Sequence, residues 1–163
     1  MTRDAQHRIV AAESREGYWQ GWFDGAACPN PGKIGIGAIV LSPHGNRIEI
    51  SDAVAVGGCN NEAELRALIA ALMLAHGAGA RRLILRGDSD MAIRHVLGTD
   101  STRLARFVPL IAEARAWVCR FEDVQLQWIP GHRNQEADRC SRGALGLPDR
   151  PGKPAIRSRK GRR

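Results

Sequence analysis

Residues 18–72, YWQGWFDGAACPNPGKIGIGAIVLSPHGNRIEISDAVAVGGCNNEAELRALIAAL, change their periodicity once, and that change decides the fold. "YWQGWF" (18–23) carries β-favouring aromatics and is expected to form a strand ending at Asp24. "AACPNPGKIG" (26–35) is dense in turn residues and reads as a loop. "IGIGAIVLS" (34–42) is a second strand, "PHGN" (43–46) a hairpin turn, and "RIEISDAVAV" (47–56) a third strand by its alternation. Three strands joined by short turns make an antiparallel meander. The apolar residues then recur as Leu65, Leu68, Ile69 and Leu72, one face of a helix. Asn60 or Asn61 is placed to cap its start, and Gly77 lies near its end.

Downstream, "RRLILRG" (81–87) is short and continuously apolar, as in a strand covered on both faces. "SDMAIRHVL" (89–97) reads as a helix and "GTDST" (98–102) as a break. "RLARFVPLIAEARAWVCRF" (103–121) reads as a longer helical run with Pro109 near its beginning. "VQLQWIP" (124–130) is a last strand, and "QEADRCSRGAL" (135–145) a final helix with Asn134 as its cap. The order βββαβααβα implies an α/β fold. It has a five-stranded mixed sheet, three strands in the meander and two parallel, flanked by helices. In such sheets, sites gather where strands end and neighbouring connections diverge.

A length of 163 residues, 44% hydrophobic and 25% charged, suits one globular domain with a proper core. No run approaches a membrane span, and the N-terminus lacks the apolar region of a signal peptide, so a cytoplasmic protein is expected. Cys28, Cys59, Cys119 and Cys140 are widely spaced with no C-x-x-C pair, which argues for reduced thiols and against a zinc knuckle. The net charge of +7 is uneven. Residues 150–163, RPGKPAIRSRKGRR, hold seven basic residues and no acid, which is the whole excess. The expected organisation is an arm over 1–16, a catalytic domain over 17–147 and a basic, disordered tail over 148–163 that can hold a polyanion.

The chemistry-bearing residues are carboxylates, each in its own setting. Asp24 ends the first strand, Glu64 opens the first helix, Asp88 ends the apolar strand and Asp138 opens the last helix. Carboxylates at strand and helix ends can converge although far apart in sequence. A converged acidic cluster suits hard divalent cations. Two such ions about 4 Å apart serve phosphodiester hydrolysis by stabilising both the attacking and the leaving oxygen. Each acid also has an ordinary reading as a turn or helix-cap residue. Glu62 competes with Glu64, since the two flank opposite edges of the apolar stripe, and Asp90 and Glu136 compete with Asp88 and Asp138.

Taken together, these stretches resemble ribonuclease H of type 1, in a compact form. "FDGAACPNPGKIGIGAIV" is similar to that family's first hairpin, and "NNEAELRALIAAL" to its first helix. "LILRGDSDMAIRHV" resembles its Asp-Ser turn, and "WIPGHRNQEADRCSRGAL" its closing strand, loop and helix. The match spans about residues 18–146 in one consistent order. The resemblance implies the ribonuclease H-like fold and a two-metal endonuclease. Such an enzyme cuts the RNA strand of RNA–DNA hybrids, leaves 5′-phosphomonoesters and works as a monomer with two Mg²⁺ ions, Mn²⁺ being an alternative. It selects Asp24, Glu64, Asp88 and Asp138 as metal ligands, and Glu64 over Glu62. It also points to His132 in proton transfer or product release, for which imidazole ionisation near neutral pH is suited. Asn30, Asn60, Asn61, Gly25 and Cys59 are the candidates for substrate contact. Their amides can reach base edges and the 2′-hydroxyl that marks RNA, and glycine permits close backbone approach.

Three departures accompany the likeness. Cys59 stands where the family often has Thr, and a thiol is the poorer hydrogen-bond donor. Only "GTDST" occupies the place of the basic helical protrusion of the best-known bacterial members. His132 lies six residues before Asp138, a shorter loop than members with a mobile catalytic His possess. Two other functions fit the same residues: cleavage of duplex RNA or a DNA junction, and hybrid binding without catalysis.

Overall fold

The structure is a computed structural model that describes residues 16–151. Most of the arm expected over 1–16, and residues 152–163 of the basic tail, lie outside the described residues. The elements run β1 (Trp19–Cys28), β2 (Gly32–Leu41), β3 (Arg47–Gly58), α1 (Asn60–Gly77), β4 (Arg82–Gly87), α2 (Asp90–Leu97), α3 (Val108–Val118), β5 (Asp123–Trp128) and α4 (Gln135–Ala144). A single 3₁₀ turn, Gly131–Arg133, lies between β5 and α4. The sheet order is β3-β2-β1-β4-β5, antiparallel within the meander and parallel from β1 through β4 to β5. No helix among the described residues is long and apolar enough to cross a membrane. All four cysteines are free.

The strand period of two explains which helix lies on which face. Asp24 pairs with Gly37, and its neighbour Gly25 pairs with Ile36, so the two couples look to opposite faces. A side chain at Gly37 would overlap the carbonyl of Ala137 in α4, and one at Gly35 the carbonyl of Ser141. On the other face, Gly25 lies against the backbone of Ala63 and Glu64 in α1. The main core is on that second face. Phe23, Leu83 and Leu85 of the sheet are fully buried against Leu65, Leu68 and Leu72 of α1, and α3 packs on the far side of α1. Ala63, Ala67, Ala71 and Ala75 are all fully buried, and their small side chains let the α1 backbone lie close to its neighbours.

Several local expectations are corrected. β1 does not end at Asp24 but pairs with β2 as far as Cys28–Lys33, so only Pro29–Pro31 make the turn. Asp24 is therefore a mid-strand residue. Neither Asn60 nor Asn61 caps α1: Cys59 is the N-cap residue, and the Asn60 N–H is satisfied from outside the helix by Asn30 Oδ1 at 3.0 Å. Ser89 caps α2, its hydroxyl accepting from the Ala92 N–H at 3.2 Å. The helical run expected over 103–121 contracts to Val108–Val118 and starts beside Pro109, where a missing N–H costs nothing.

The β1–α1 contact yields a direct test. In Gly25→Ala the new methyl would overlap the Ala63 carbonyl and reach within 2.5 Å of the Glu64 nitrogen, backbone atoms that cannot rotate away. We expect a loss of about 3 kcal/mol, at the upper end of overpacking costs, measured by chemical denaturation. A variant as stable as the parent would show that β1 and α1 are not in close contact.

Candidate active site

β1 and β4 run parallel and remain paired as far as Trp22–Arg86. Two residues beyond that last couple stand Asp24 and Asp88, at the point where the strands part. Asp24 is 95% removed from solvent, since only 5% of its surface remains exposed. Glu64 enters the same cleft from the first turns of α1, carried there by the close approach at Gly25. The Gly25 N–H donates to Glu64 Oε2 at 3.2 Å. One carboxylate oxygen from each of Asp24, Glu64 and Asp88 lies within 4.8 Å of the other two.

Asn134 ties this arrangement together. Its side chain is 2% exposed and does not cap α4. Its Nδ2 instead donates to the Phe23 carbonyl at 2.9 Å and to Asp88 Oδ1 at 3.2 Å, which fixes β1, the end of β4 and the start of α4 to one another. Ser141, fully buried one turn after Asp138, donates its hydroxyl to Asp24 Oδ2. Neither residue stands out in the sequence as part of a site. The only signal for Ser141 is its spacing from Asp138, which sets both on one helix face.

Asp138 stands beside the trio rather than within it. Its carboxylate, 17% exposed, accepts from Arg150 Nε at 3.0 Å, and its charge is felt by both Asp24 and Glu64. Glu62 turns the other way. It accepts from the Cys59 N–H at 3.5 Å and pairs with Arg106 at 3.7 Å, so it serves the helix start.

The cleft opens into a cavity of about 340 Å³ whose walls include Asn60, Asn61, Gly25 and Arg150 as well as the three acids. Asn60 Oδ1 accepts from the Ala27 N–H at 2.8 Å, so this amide also braces the first hairpin. Asn30 holds the Asn60 N–H and is exposed at the hairpin tip. Cys59 is half-buried against the core. His132 is exposed and lines a second cavity, of about 320 Å³, together with Trp22 and Arg133. Asp90 is exposed and paired with Arg94 at 3.3 Å, and Glu136 is exposed and paired with Arg47 at 3.1 Å.

Burial raises the Asp24 carboxyl to about 7, with repulsion from Asp88 and Asp138 adding to the shift and the Ser141 hydroxyl opposing it. Glu64 lies well above the usual carboxylate range for the same first reason, burial, followed by the charges of Asp24 and Asp88. Carboxylates so placed repel unless a proton or a cation lies between them. The clustered donors are all carboxylate oxygens, with no thiol or imidazole among them, the chemistry that hard divalent ions such as Mg²⁺ or Mn²⁺ prefer. The donor set therefore fits a divalent cation.

The chain matches the family described as "Reverse transcriptase-like" over residues 22–144. Ribonuclease HI of Halobacterium salinarum is 31% identical over 136 residues, covering 83% of this chain and 68% of that protein. The bifunctional protein Rv2228c of Mycobacterium tuberculosis is also 31% identical, but the chain spans only 34% of its length, as it does for two further mycobacterial relatives. Among solved structures, RNase H1 from Halobacterium salinarum superposes with a TM-score of 0.75 at 32% identity, over 80% of this chain and 98% of that one. LC11-RNase H1 in complex with an RNA/DNA hybrid superposes with a TM-score of 0.71 at 25% identity, over 78% and 96%.

The raised Asp24 carboxyl sets a pH dependence. Between its ordinary value of 3.8 and about 7 the folded protein keeps a proton that the unfolded chain has released. Stability is therefore greatest below the lower value and falls as pH rises through the window. Without divalent cations, Asp24→Asn should be more stable than the parent at pH 8 by on the order of 2–4 kcal/mol. The advantage should vanish near pH 4. Urea denaturation at the two pH values measures this, and an Asn variant no more stable at pH 8 would contradict the raised Asp24 carboxyl.

Proposed function

The chain belongs to the ribonuclease HI family, and on that premise we propose that it is an endonuclease hydrolysing the RNA strand of RNA–DNA hybrids. The observation that carries the reading is the convergence of Asp24, Glu64 and Asp88 within 4.8 Å where β1 and β4 part. Hybrid as substrate is supported by the likeness to LC11-RNase H1, which binds an RNA/DNA hybrid.

In this reading Asp24, Glu64, Asp88 and Asp138 hold two divalent cations, Mg²⁺ or Mn²⁺. Bound there, such ions supply Lewis acidity for the attacking water and for the leaving sugar oxygen. The protein's own part is to hold its acids in place before substrate arrives. Asn134 fixes Asp88 relative to β1, Ser141 fixes Asp24, and the Gly25 N–H fixes Glu64. Preorganisation of this kind spares the reaction the cost of assembling like charges. The backbone at Gly25 and the amides of Asn60 and Asn61 line the cavity beside the acids, where a ribose 2′-hydroxyl can be hydrogen-bonded. Asn30 and Cys59 extend that contact along the hairpin and the helix start. His132, exposed on the turn before α4, accepts or returns a proton as product leaves.

The test is cleavage of labelled hybrid, duplex RNA and duplex DNA, each with Mg²⁺, Mn²⁺ or EDTA. We expect cutting of the hybrid alone, abolished by EDTA. Asp24→Asn, Asp88→Asn and Glu64→Gln should fall to background with the fold intact. Glu62→Gln should stay near the parent, because Glu62 faces Cys59 and Arg106. His132→Ala should slow turnover by roughly 100-fold, the low end of general acid–base contributions, without stopping it. Comparable cutting of duplex RNA would move the substrate to another nucleic acid, and hybrid binding without cutting would make this a binding module.

A further inference from the structure

The end of the described chain is strapped to α4 by three contacts. Arg142 Nε donates to the Pro148 carbonyl at 3.0 Å, Arg139 meets Asp149 at 3.2 Å, and Arg150 Nε donates to Asp138 Oδ1 at 3.0 Å. Together they fold the chain back along the helix it has just left. Arg150 is thereby delivered to the mouth of the acidic cleft, where it is the only cationic residue lining the cavity among the described residues. The two partners differ in exposure. The Asp138 carboxylate beside the cleft is 17% exposed, whereas the Arg150 side chain is 70% exposed and reaches it from the solvent side.

A guanidinium at this position has two effects of opposite sign. It offsets one negative charge in a cleft where Asp138 opposes the ionisation of Asp24 and Glu64. It also engages an Asp138 oxygen and sets a positive charge where a divalent ion would have to approach. Both cannot hold that carboxylate fully at once. With its guanidinium 70% exposed the ion pair is weak, and a divalent ion would compete with it for the carboxylate.

We propose that Arg150 is a positioning residue that acts through Asp138. It holds the carboxylate in place in the cation-free protein, then cedes it to the arriving metal, and so sets how tightly the Asp138 side of the cleft takes a divalent ion. The proposal rests on the reading of these acids as metal ligands. It extends the working part of the molecule past α4 to the first residue of the basic run. It also gives Arg150 a task distinct from that of a loose polyanion handle.

The experiment is a calorimetric titration of the metal-free full chain with MnCl₂ at fixed ionic strength, without nucleic acid. It is run on the parent, Arg150→Gln, Arg150→Lys, Asp138→Asn and the Arg150→Gln/Asp138→Asn double variant. Arg150→Gln should bind the weaker Mn²⁺ roughly fivefold more tightly, the size expected for loss of one exposed ion pair. Arg150→Lys should stay near the parent because it keeps the charge. In the Asp138→Asn background, the Arg150→Gln change should leave Mn²⁺ affinity untouched. A purely structural ion pair would lower the melting temperature of Arg150→Gln without changing its Mn²⁺ affinity, and that result would overturn the proposal. So would an equal gain in the Asp138→Asn background, since Arg150 would then not act through Asp138. A parent chain that takes up no Mn²⁺ would remove the metal-centre reading itself, and the proposal with it.

Discussion

The site depends on how closely the backbone of β1 approaches the first turns of α1. With no side chain at Gly25, its backbone lies against Ala63 and Glu64 and its N–H reaches the Glu64 carboxylate. That contact sets Glu64 beside Asp24, one residue away along the strand and facing the opposite side of the sheet. The sheet provides the third acid. β4 stops pairing with β1 at Trp22–Arg86, so Asp88 emerges into the space that the parting strands leave open. Asn134 then closes the frame by bonding the β1 backbone and Asp88 with one buried amide.

Such a frame is costly. It buries an acid that ionises only near pH 7 and keeps a second one well above the usual carboxylate range. Carboxylates brought together this way destabilise a fold unless something positive is shared among them. A protein that maintains the arrangement gives up stability for function, as active sites commonly do. The polar atoms around the acids fit that account. Ser141 and the Gly25 N–H each donate to a charged oxygen and lower the cost without removing it.

Much of this was legible in the sequence because it is local. The period change after Val56 marks the passage from meander to helix, and the element order determines the sheet. The identity of the acids was only partly legible. Glu62 and Glu64 flank the same apolar stripe, and the residues by themselves leave the choice open. The family likeness favours Glu64; in the fold Glu62 turns to Cys59 and Arg106, and Glu64 to Gly25. Asp138 is set apart from the other three acids, at the rim and bonded to Arg150. What could not be read is long-range. Asn134 looks like a helix cap, and its bonds to Phe23 and Asp88 span 111 and 46 residues. Ser141 reaches Asp24 across 117 residues. The start of α1 is long-range in the same way, since its first N–H is served by Asn30 from across the hairpin.

The central claim is that Asp24 and Glu64 are held close enough to Asp88, and far enough from water, to require a cation. A ¹³C NMR titration of their side-chain carboxyl carbons tests it most directly, first without divalent ions and then with saturating Mg²⁺. The account predicts that without metal Asp24 titrates near pH 7 and Glu64 well above an ordinary glutamate. With Mg²⁺ both should fall below the usual carboxylate range. Ordinary titration of both residues, unchanged by Mg²⁺, would contradict it.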